Sequence, residues 1–92
     1  MSNVTLDSEA LAEAADDLSS YIEEIKSNIS NMQKAARDCV DNMEHDTYSN
    51  AALDQIEKCI AELQKNLTAA EELRGRILAK KQEIEDSEKI LN

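Results

Sequence analysis

Apolar side chains recur at alternating steps of three and four residues along almost the whole chain. In the first half this apolar seam runs through Leu11, Ala15, Leu18, Ile22, Ile25, Ile29, Met32, Ala36, Cys39 and Met43. In the second half it runs through Leu53, Ile56, Ile60, Leu63, Leu67, Ala70, Ile77, Ile84 and Leu91. A period of about 3.5 residues places such side chains on one helix face, so the sequence predicts two long amphipathic helices.

The composition excludes most folds other than helical ones. The 92 residues include no proline, one glycine and no aromatic residues besides two tyrosines. Strands favour β-branched and aromatic residues, and the turns of small β proteins use glycine and proline. The chain is therefore predicted to be all-α.

The apolar repeat is interrupted only near the middle, at the stretch HDTYSN. We predict helix 1 over about residues 8–44, a turn over about 45–50 and helix 2 over about 51–90. Asp7 is the predicted N-cap of helix 1, because a carboxylate at that position accepts the first free backbone N–H groups. A short connection makes neighbouring helices antiparallel, so residues 1–92 are predicted to form one helical hairpin domain.

A turn centred near Ser49 would set the register of this hairpin. It would bring acidic positions of helix 1 near basic positions of helix 2, with Asp16 and Asp17 near Lys80 and Lys81, and Glu23 and Glu24 near Arg74 and Arg76. It would also place Cys39 and Cys59 at one level. They could form a disulfide. We favour the interpretation that both are small apolar residues packed near the turn in a reducing cytosol.

The apolar surface is larger than a lone hairpin needs. A third column flanks the seam of helix 1 at Ala14, Tyr21, Asn28 and Ala35. A chain this short cannot build a large closed core, so we expect it to pack against another protein as a four-helix bundle, either as a dimer or with a partner's helices. The predicted interface residues are Leu18, Tyr21, Ile22, Ile25, Ile29, Met32, Ile56, Ile60, Leu63 and Leu67.

Charge narrows the choice of partner. The formal net charge is −10, and a nucleic-acid partner is not expected because phosphate binding needs a basic surface. No apolar run is long enough to span a bilayer, and the start MSNVTLDSEA lacks the pattern of a signal peptide. Cytoplasmic synthesis and a protein partner are expected.

Residues that carry out catalysis or bind cofactors are not evident. His45 is the only histidine, and no nucleophile–base pair or glycine-rich phosphate loop is present. The two cysteines without a nearby histidine do not match a zinc site. We therefore expect a protein that is not an enzyme and needs no cofactor or metal.

Three features occur together: the opening VTLDSEALAEAADDLSSYIEEI, an isolated aromatic near the middle, and a second long helix with an acidic end containing serine and lysine. In this combination the chain resembles the WXG-motif (Esx-type) family of small type VII secretion substrates over nearly its whole length. Tyr48-Ser49-Asn50 would occupy the slot of the family's Trp-x-Gly turn. Ile84 and Glu88 would be the remnant of its C-terminal export signal, Tyr-x-x-x-Asp/Glu, without the aromatic.

The resemblance implies a secreted substrate, or a targeting partner for a larger LXG-type toxin, that pairs with itself, a related hairpin or the toxin's helical N-terminal domain. It also implies export through a type VII system. The alternative hypothesis is a structural assembly protein, such as a needle-subunit-like hairpin or a coiled-coil adaptor. Needle subunits usually carry proline in the turn, and this chain has none.

Overall fold

The computed structural model describes residues 7–42 and 47–91, and within these ranges it contains two helices and no strand. Helix α1 spans Ser8–Asn42, a length of 35 residues. Helix α2 spans Thr47–Leu91, a length of 45 residues. The predicted all-α class is confirmed.

Asp7 caps the N-terminus of α1. Its Oδ1 atom accepts a hydrogen bond of 2.9 Å from the backbone N–H of Glu9, and its carbonyl accepts one of 3.1 Å from Leu11. Because the first N–H groups of a helix have no partner within the helix, a side-chain acceptor at this position stabilises the helix start. The predicted N-cap is confirmed.

The start of α2 differs from the prediction. Helix α2 begins at Thr47, so Tyr48 and Asn50 lie in its first turn and not in a turn between the helices. Thr, Tyr, Ser and Asn each cost a helix less than about 0.7 kcal/mol relative to Ala, so without glycine or proline nothing stops the helix here. The predicted last residues of helix 1 and His45 fall in the range 43–46, outside the described residues.

The chain divides into two units, each of which combines part of α1 with part of α2. Unit 1 consists of Met1–Ile22 and Ala69–Asn92, and unit 2 of Glu23–Thr68. In unit 2 the end of α1 is joined to the start of α2 by the four residues 43–46. Asn28 and Met32 share a groove with Cys59 and Leu63, all far from that connection, so the two segments of unit 2 run antiparallel.

The core of each unit is small. The buried apolar residues of the described ranges are Ala15, Ile22 and Ala70 in unit 1, and Ile25 and Ile29 in unit 2. Their exposed fractions lie between 2% and 9%. Two of the five are alanines, which bury little surface, so the three isoleucines are the large side chains of this buried set.

The predicted register is wrong by about one heptad. Ser19 is hydrogen-bonded to Arg74 in unit 1, whereas the predicted register places residue 79 opposite it. In unit 2 Met32 shares a groove with Cys59, whereas the predicted register places residue 66 opposite it. Because the connection lies earlier in the chain than predicted, each residue of α1 faces a residue of α2 about five to seven positions earlier.

None of the predicted ion pairs between the helices forms among the described residues. All ion pairs among the described residues join side chains of α2, three or four residues apart. Lys80 pairs with Glu83 and Lys81 with Glu85, so neither reaches the acids of α1. Lys81 and Glu85 are half-buried, whereas the other paired side chains are exposed. Exposed ion pairs contribute about 0–1 kcal/mol each.

Candidate partner-binding surface

The structure divides the predicted interface residues into three groups: buried, exposed and half-buried. Ile22, Ile25 and Ile29 are buried inside the chain itself, so they stabilise the units and are not available to a partner. Tyr21 keeps 47% of its surface exposed. The other predicted residues are half-buried: Leu18, Met32, Ile56, Ile60, Leu63 and Leu67.

Four of the half-buried residues lie together on α2. Ile56, Ile60, Leu63 and Leu67 follow one another at steps of three and four, so they share one face of the helix. None of the four is buried in the described structure. Each keeps part of its side chain in contact with water, so further burial of these four residues, the apolar stripe of unit 2, would be favourable.

A groove lies beside this stripe in unit 2. It has a volume of about 590 Å³ and is lined by Asn28, Asn31, Met32, Lys58, Cys59, Glu62 and Leu63. Met32 and Leu63 are half-buried, whereas the other lining residues are exposed. The groove therefore combines an apolar lining with side chains that can form hydrogen bonds with a bound group.

Two residues of the groove, Asn28 and Cys59, stand where larger apolar side chains could pack. Asn28 belongs to the column that flanks the seam of α1, and Cys59 stands directly before the seam residue Ile60 on α2. Cys59 is smaller than the Leu, Ile or Met that would fill such a space between packed helices. Asn28 has as many side-chain heavy atoms as Leu but ends in a polar amide. A partner side chain entering here would regain the dispersion contacts that the chain's own residues do not make.

The two charged residues of the groove already have partners on α2. Lys58 Nζ lies 3.0 Å from Asp54 Oδ2, and Lys65 Nζ lies 3.6 Å from Glu62 Oε1. All four side chains are more than half exposed, so each pair contributes little to folding stability. The α2 side of the groove therefore presents charges that are locally neutralised.

Tyr48, Asn50, Ile84 and Glu88 do not line this groove. Tyr48 is 85% exposed in the first turn of α2, and Asn50 is also exposed. In unit 1, Ile84 is half-buried and Glu88 is exposed, one helical turn apart on the same face of α2. The structure therefore places the two family-like features in different units.

The cysteines are both free thiols. Cys39 is half-buried, whereas Cys59 is exposed and lines the groove beside Met32. In the observed register Cys39 lies about seven residues nearer the connection than the level of Cys59. At about 1.5 Å per residue this is an axial offset of roughly 10 Å. The prediction that they lie at one level is therefore wrong.

Among the residues that the structure describes, no three His, Cys, Asp or Glu side chains are grouped so that they could hold a metal ion. Neither α1 nor α2, in its described part, combines the length and apolar character needed to cross a bilayer.

Most groove residues were not among the predicted interface positions. Only Met32 and Leu63 were predicted, whereas Asn28, Asn31 and Cys59 were not. Asn28 stands between Tyr21 and Ala35 in the flanking column of α1. This polar residue is the sequence feature that could have indicated the groove. Which α2 residues lie beside it depends on the register, and the pattern alone predicted that wrongly.

The chain was also compared with known proteins. No protein-family model matches it, no curated protein matches it, and no solved structure matches it.

Proposed function

We propose that this chain is a small non-catalytic binding protein that completes a four-helix bundle with helices of another protein chain. The observation that carries the proposal is the apolar stripe of unit 2, where Ile56, Ile60, Leu63 and Leu67 all remain partly exposed beside an open groove. Contiguous apolar surface on a small soluble protein is typical of an interaction site.

A second consideration is the small core. Only three isoleucines and two alanines are buried in the described ranges. Helical stability in proteins comes mostly from tertiary packing of an apolar face, so additional helices would add the packing that the pair lacks. A partner that binds only the folded state also raises the free energy of unfolding by mass action. Complex formation would therefore stabilise this chain.

The finer proposal places the protein in a type VII secretion system. It rests on the resemblance to the WXG-motif family: chain length, two long helices, the family-like opening and a mid-chain aromatic, Tyr48. In this role the protein is a secreted substrate, or a targeting partner that joins the helical N-terminal domain of an LXG-type toxin. Because Ile84 stands where the export signal carries an aromatic, dependence on a signal carried by the partner is favoured.

The test is co-expression with the products of the neighbouring genes, followed by purification and measurement of mass in solution. We expect a stable complex of defined stoichiometry, and loss of export when the type VII ATPase is deleted. Leu63→Ala should weaken the complex, while Val40→Ala, which alters an apolar residue of α1 that is 46% exposed, serves as control. Circular dichroism of both variants separates lost binding from lost folding.

The opposing outcomes are distinct. A chain that stays monomeric with every neighbouring product would contradict the binding proposal itself. A stable complex whose export does not depend on the ATPase would contradict only the type VII assignment. Filaments formed by the purified chain alone would favour the alternative of a structural assembly protein.

A further inference from the structure

Unit 1 carries two exposed hydrophobic residues at one level. Tyr21 and Leu73 each keep 47% of their surface exposed. The hydrogen bond between Ser19 and Arg74 sets the register of the two helices, and in this register residue 72 is level with Tyr21. Leu73 stands one residue further along α2, or about 1.5 Å along the axis, so Tyr21 and Leu73 lie at the same height in unit 1.

The two residues also lie on one side of unit 1. Because α1 and α2 are continuous helices, the antiparallel course found in unit 2 holds in unit 1 as well. Tyr21 directly precedes a seam residue of α1, and Leu73 directly precedes a seam step of α2. Equivalent heptad positions flank the same side of an antiparallel pair, as Asn28 and Cys59 do in lining one groove of unit 2. Tyr21 and Leu73 therefore form one exposed patch, the Tyr21–Leu73 patch.

Charge is divided between the helices around this patch. The α1 part of unit 1, residues 7–22, carries five acids and no base. The α2 part, residues 69–91, carries six acids and five bases, and its residues 73–82 contain four of these bases and no acid. In the Ser19–Arg74 register residues 73–82 are level with residues 11–20, so a basic stretch of α2 lies beside an acidic stretch of α1.

These opposite charges do not pair across the helices. Every ion pair among the described residues lies on α2. Asp17 and Arg76 are level in the same register, and neither forms an ion pair within the described chain. Asp17 stands four residues before Tyr21, and Arg76 stands three residues after Leu73, so each flanks the patch on its own helix. Both side chains are exposed and available to another molecule.

We infer that a second copy of the chain packs on the Tyr21–Leu73 patch, with α1 of each copy lying on α2 of the other. The two-fold axis of this dimer runs parallel to the helices, so it preserves the level of every residue. Tyr21 then meets the partner's Leu73, and Asp17 meets the partner's Arg76. The inference goes beyond the proposed function, because it concerns unit 1 and needs no occupant in the groove of unit 2.

The charges on this side of unit 1 favour that arrangement. Besides Asp17 and Arg76 they are Asp7, Glu13, Glu72, Lys80, Glu83 and Asp86. In the inferred dimer Glu13 is level with the partner's Lys80, the two glutamates of α2 are level with uncharged residues, and Asp7 meets a like charge, the partner's Asp86, at one end. Two levels thus join opposite charges and one joins like charges. The other two-fold arrangement, α1 on α1, would bring only acids together, so the charges select α1 on α2.

The test is sedimentation equilibrium of the full chain at about 0.15 M salt, where charges more than about 8 Å apart are largely screened. The net charge of −10 per copy then opposes association only weakly, and we expect a dimer. Asp17→Lys and Arg76→Glu, each alone, should raise the dissociation constant at least about tenfold, because each makes both symmetric contacts repulsive. An equimolar mixture of the two variants should recover the native constant as a heterodimer, because both contacts again join opposite charges.

Matched controls make the same charge changes away from the patch. Asp16→Lys and Lys89→Glu alter exposed residues turned about 140–160° around their helices from Tyr21 and Leu73, and each should change the dissociation constant by about twofold or less. Leu63→Ala, which lies in unit 2, should also leave it within about twofold. Circular dichroism confirms that each variant keeps the helical content of the native chain.

Several results would overturn the inference. A native chain that stays monomeric at every concentration, single variants that dimerise as well as the native chain, or a mixture as weak as its components would each do so. None of these results bears on the proposed function, which is tested with the products of neighbouring genes. A dimer lost in Leu63→Ala but kept in Asp17→Lys would place the second copy in the groove of unit 2 instead.

Discussion

Arg74 Nε donates a hydrogen bond of 2.6 Å to Ser19 Oγ, and this bond joins α2 to α1 inside unit 1. The Ser19 hydroxyl in turn donates to the carbonyl of Ala15 at 3.0 Å, one turn earlier in α1. Arg74 occupies a step of the α2 seam at which the apolar repeat fails, between Ala70 and Ile77. At this step a hydrogen bond therefore takes the place of apolar packing. Because a hydrogen bond is directional, it helps to fix which residues of α1 and α2 lie opposite each other.

Arg74→Ala should lower the free energy of unfolding by about 0.5–1.5 kcal/mol, because the bond to Ser19 is lost. Arg76→Ala is the matched control, since Arg76 is exposed and forms no ion pair or side-chain hydrogen bond within the described residues. That control should stay within about 0.5 kcal/mol of the parent chain. Urea unfolding followed by circular dichroism measures both.

The pair can be tested further with Ser19→Ala. If the hydrogen bond stabilises unit 1, the double variant should lose less than the sum of the two single losses, because both substitutions remove the same interaction. Strictly additive losses, or an Arg74→Ala variant indistinguishable from Arg76→Ala, would show that the bond contributes nothing to stability.

Ile25 is the second site at which the structure predicts a large effect. Its exposed fraction is 2%, the lowest among the isoleucines of the core, so Ile25→Ala should cost about 2–5 kcal/mol and Ile25→Val about 0.5–1.5 kcal/mol. Val40→Ala, at a position that is 46% exposed, should cost much less. Thermal and urea unfolding of the three variants provide the comparison, and an Ile25→Val loss no larger than that of Val40→Ala would contradict the assigned core.

The observed register can be tested with the chain's own cysteines. Cys39 and Cys59 are offset by roughly 10 Å along the helices, and a disulfide needs Cα atoms about 4.4–6.8 Å apart. Under oxidised glutathione the native chain should therefore form little intramolecular disulfide. A variant with Cys39→Ser and Met32→Cys should form it faster, because residues 32 and 59 line the same groove.

Non-reducing electrophoresis and mass spectrometry of the monomer measure the two rates. Rapid and complete formation of a Cys39–Cys59 bond in the native chain, with slow closure in the variant, would support the register predicted from the sequence and count against the observed one.

The two tyrosines should differ in their contribution to stability. Tyr48 is 85% exposed, so Tyr48→Ala should change the free energy of unfolding by about 0.5 kcal/mol or less. Tyr21 is 47% exposed, and Tyr21→Ala should cost about 1 kcal/mol because roughly half of a large side chain loses its contacts. Chemical denaturation distinguishes these values, and a Tyr48→Ala loss equal to that of Tyr21→Ala would mean that Tyr48 packs in the folded state.

Periodicity was a good guide to the elements and a poor guide to their alignment. The alternating steps of three and four predicted two long helices, and Asp7 correctly marked the start of α1. The start of α2 was predicted four residues too late, because Tyr48 and Asn50 suit both a turn and a helix start. No local property of these residues decides between the two.

The site was predicted only in part, for a related reason. Met32 and Leu63 were among the expected interface residues, but the groove they share also requires Cys59 beside Met32. A sequence-based register that is wrong by about one heptad still brings apolar residues of the two seams together. After such a shift the seam residues still face apolar side chains. The flanking residues, in contrast, face side chains of a different kind.

The sequence by itself determined the all-α class, the two amphipathic helices, the N-cap at Asp7 and the acidic excess of α1. The tertiary structure decided the register, the burial of Ile22, Ile25 and Ile29, and the groove between Met32 and Leu63. The physical reason is the repeat itself. Sliding one heptad helix past another by seven residues restores nearly the same apolar contacts, so only the position of the connection and specific contacts such as Ser19 with Arg74 select one alignment.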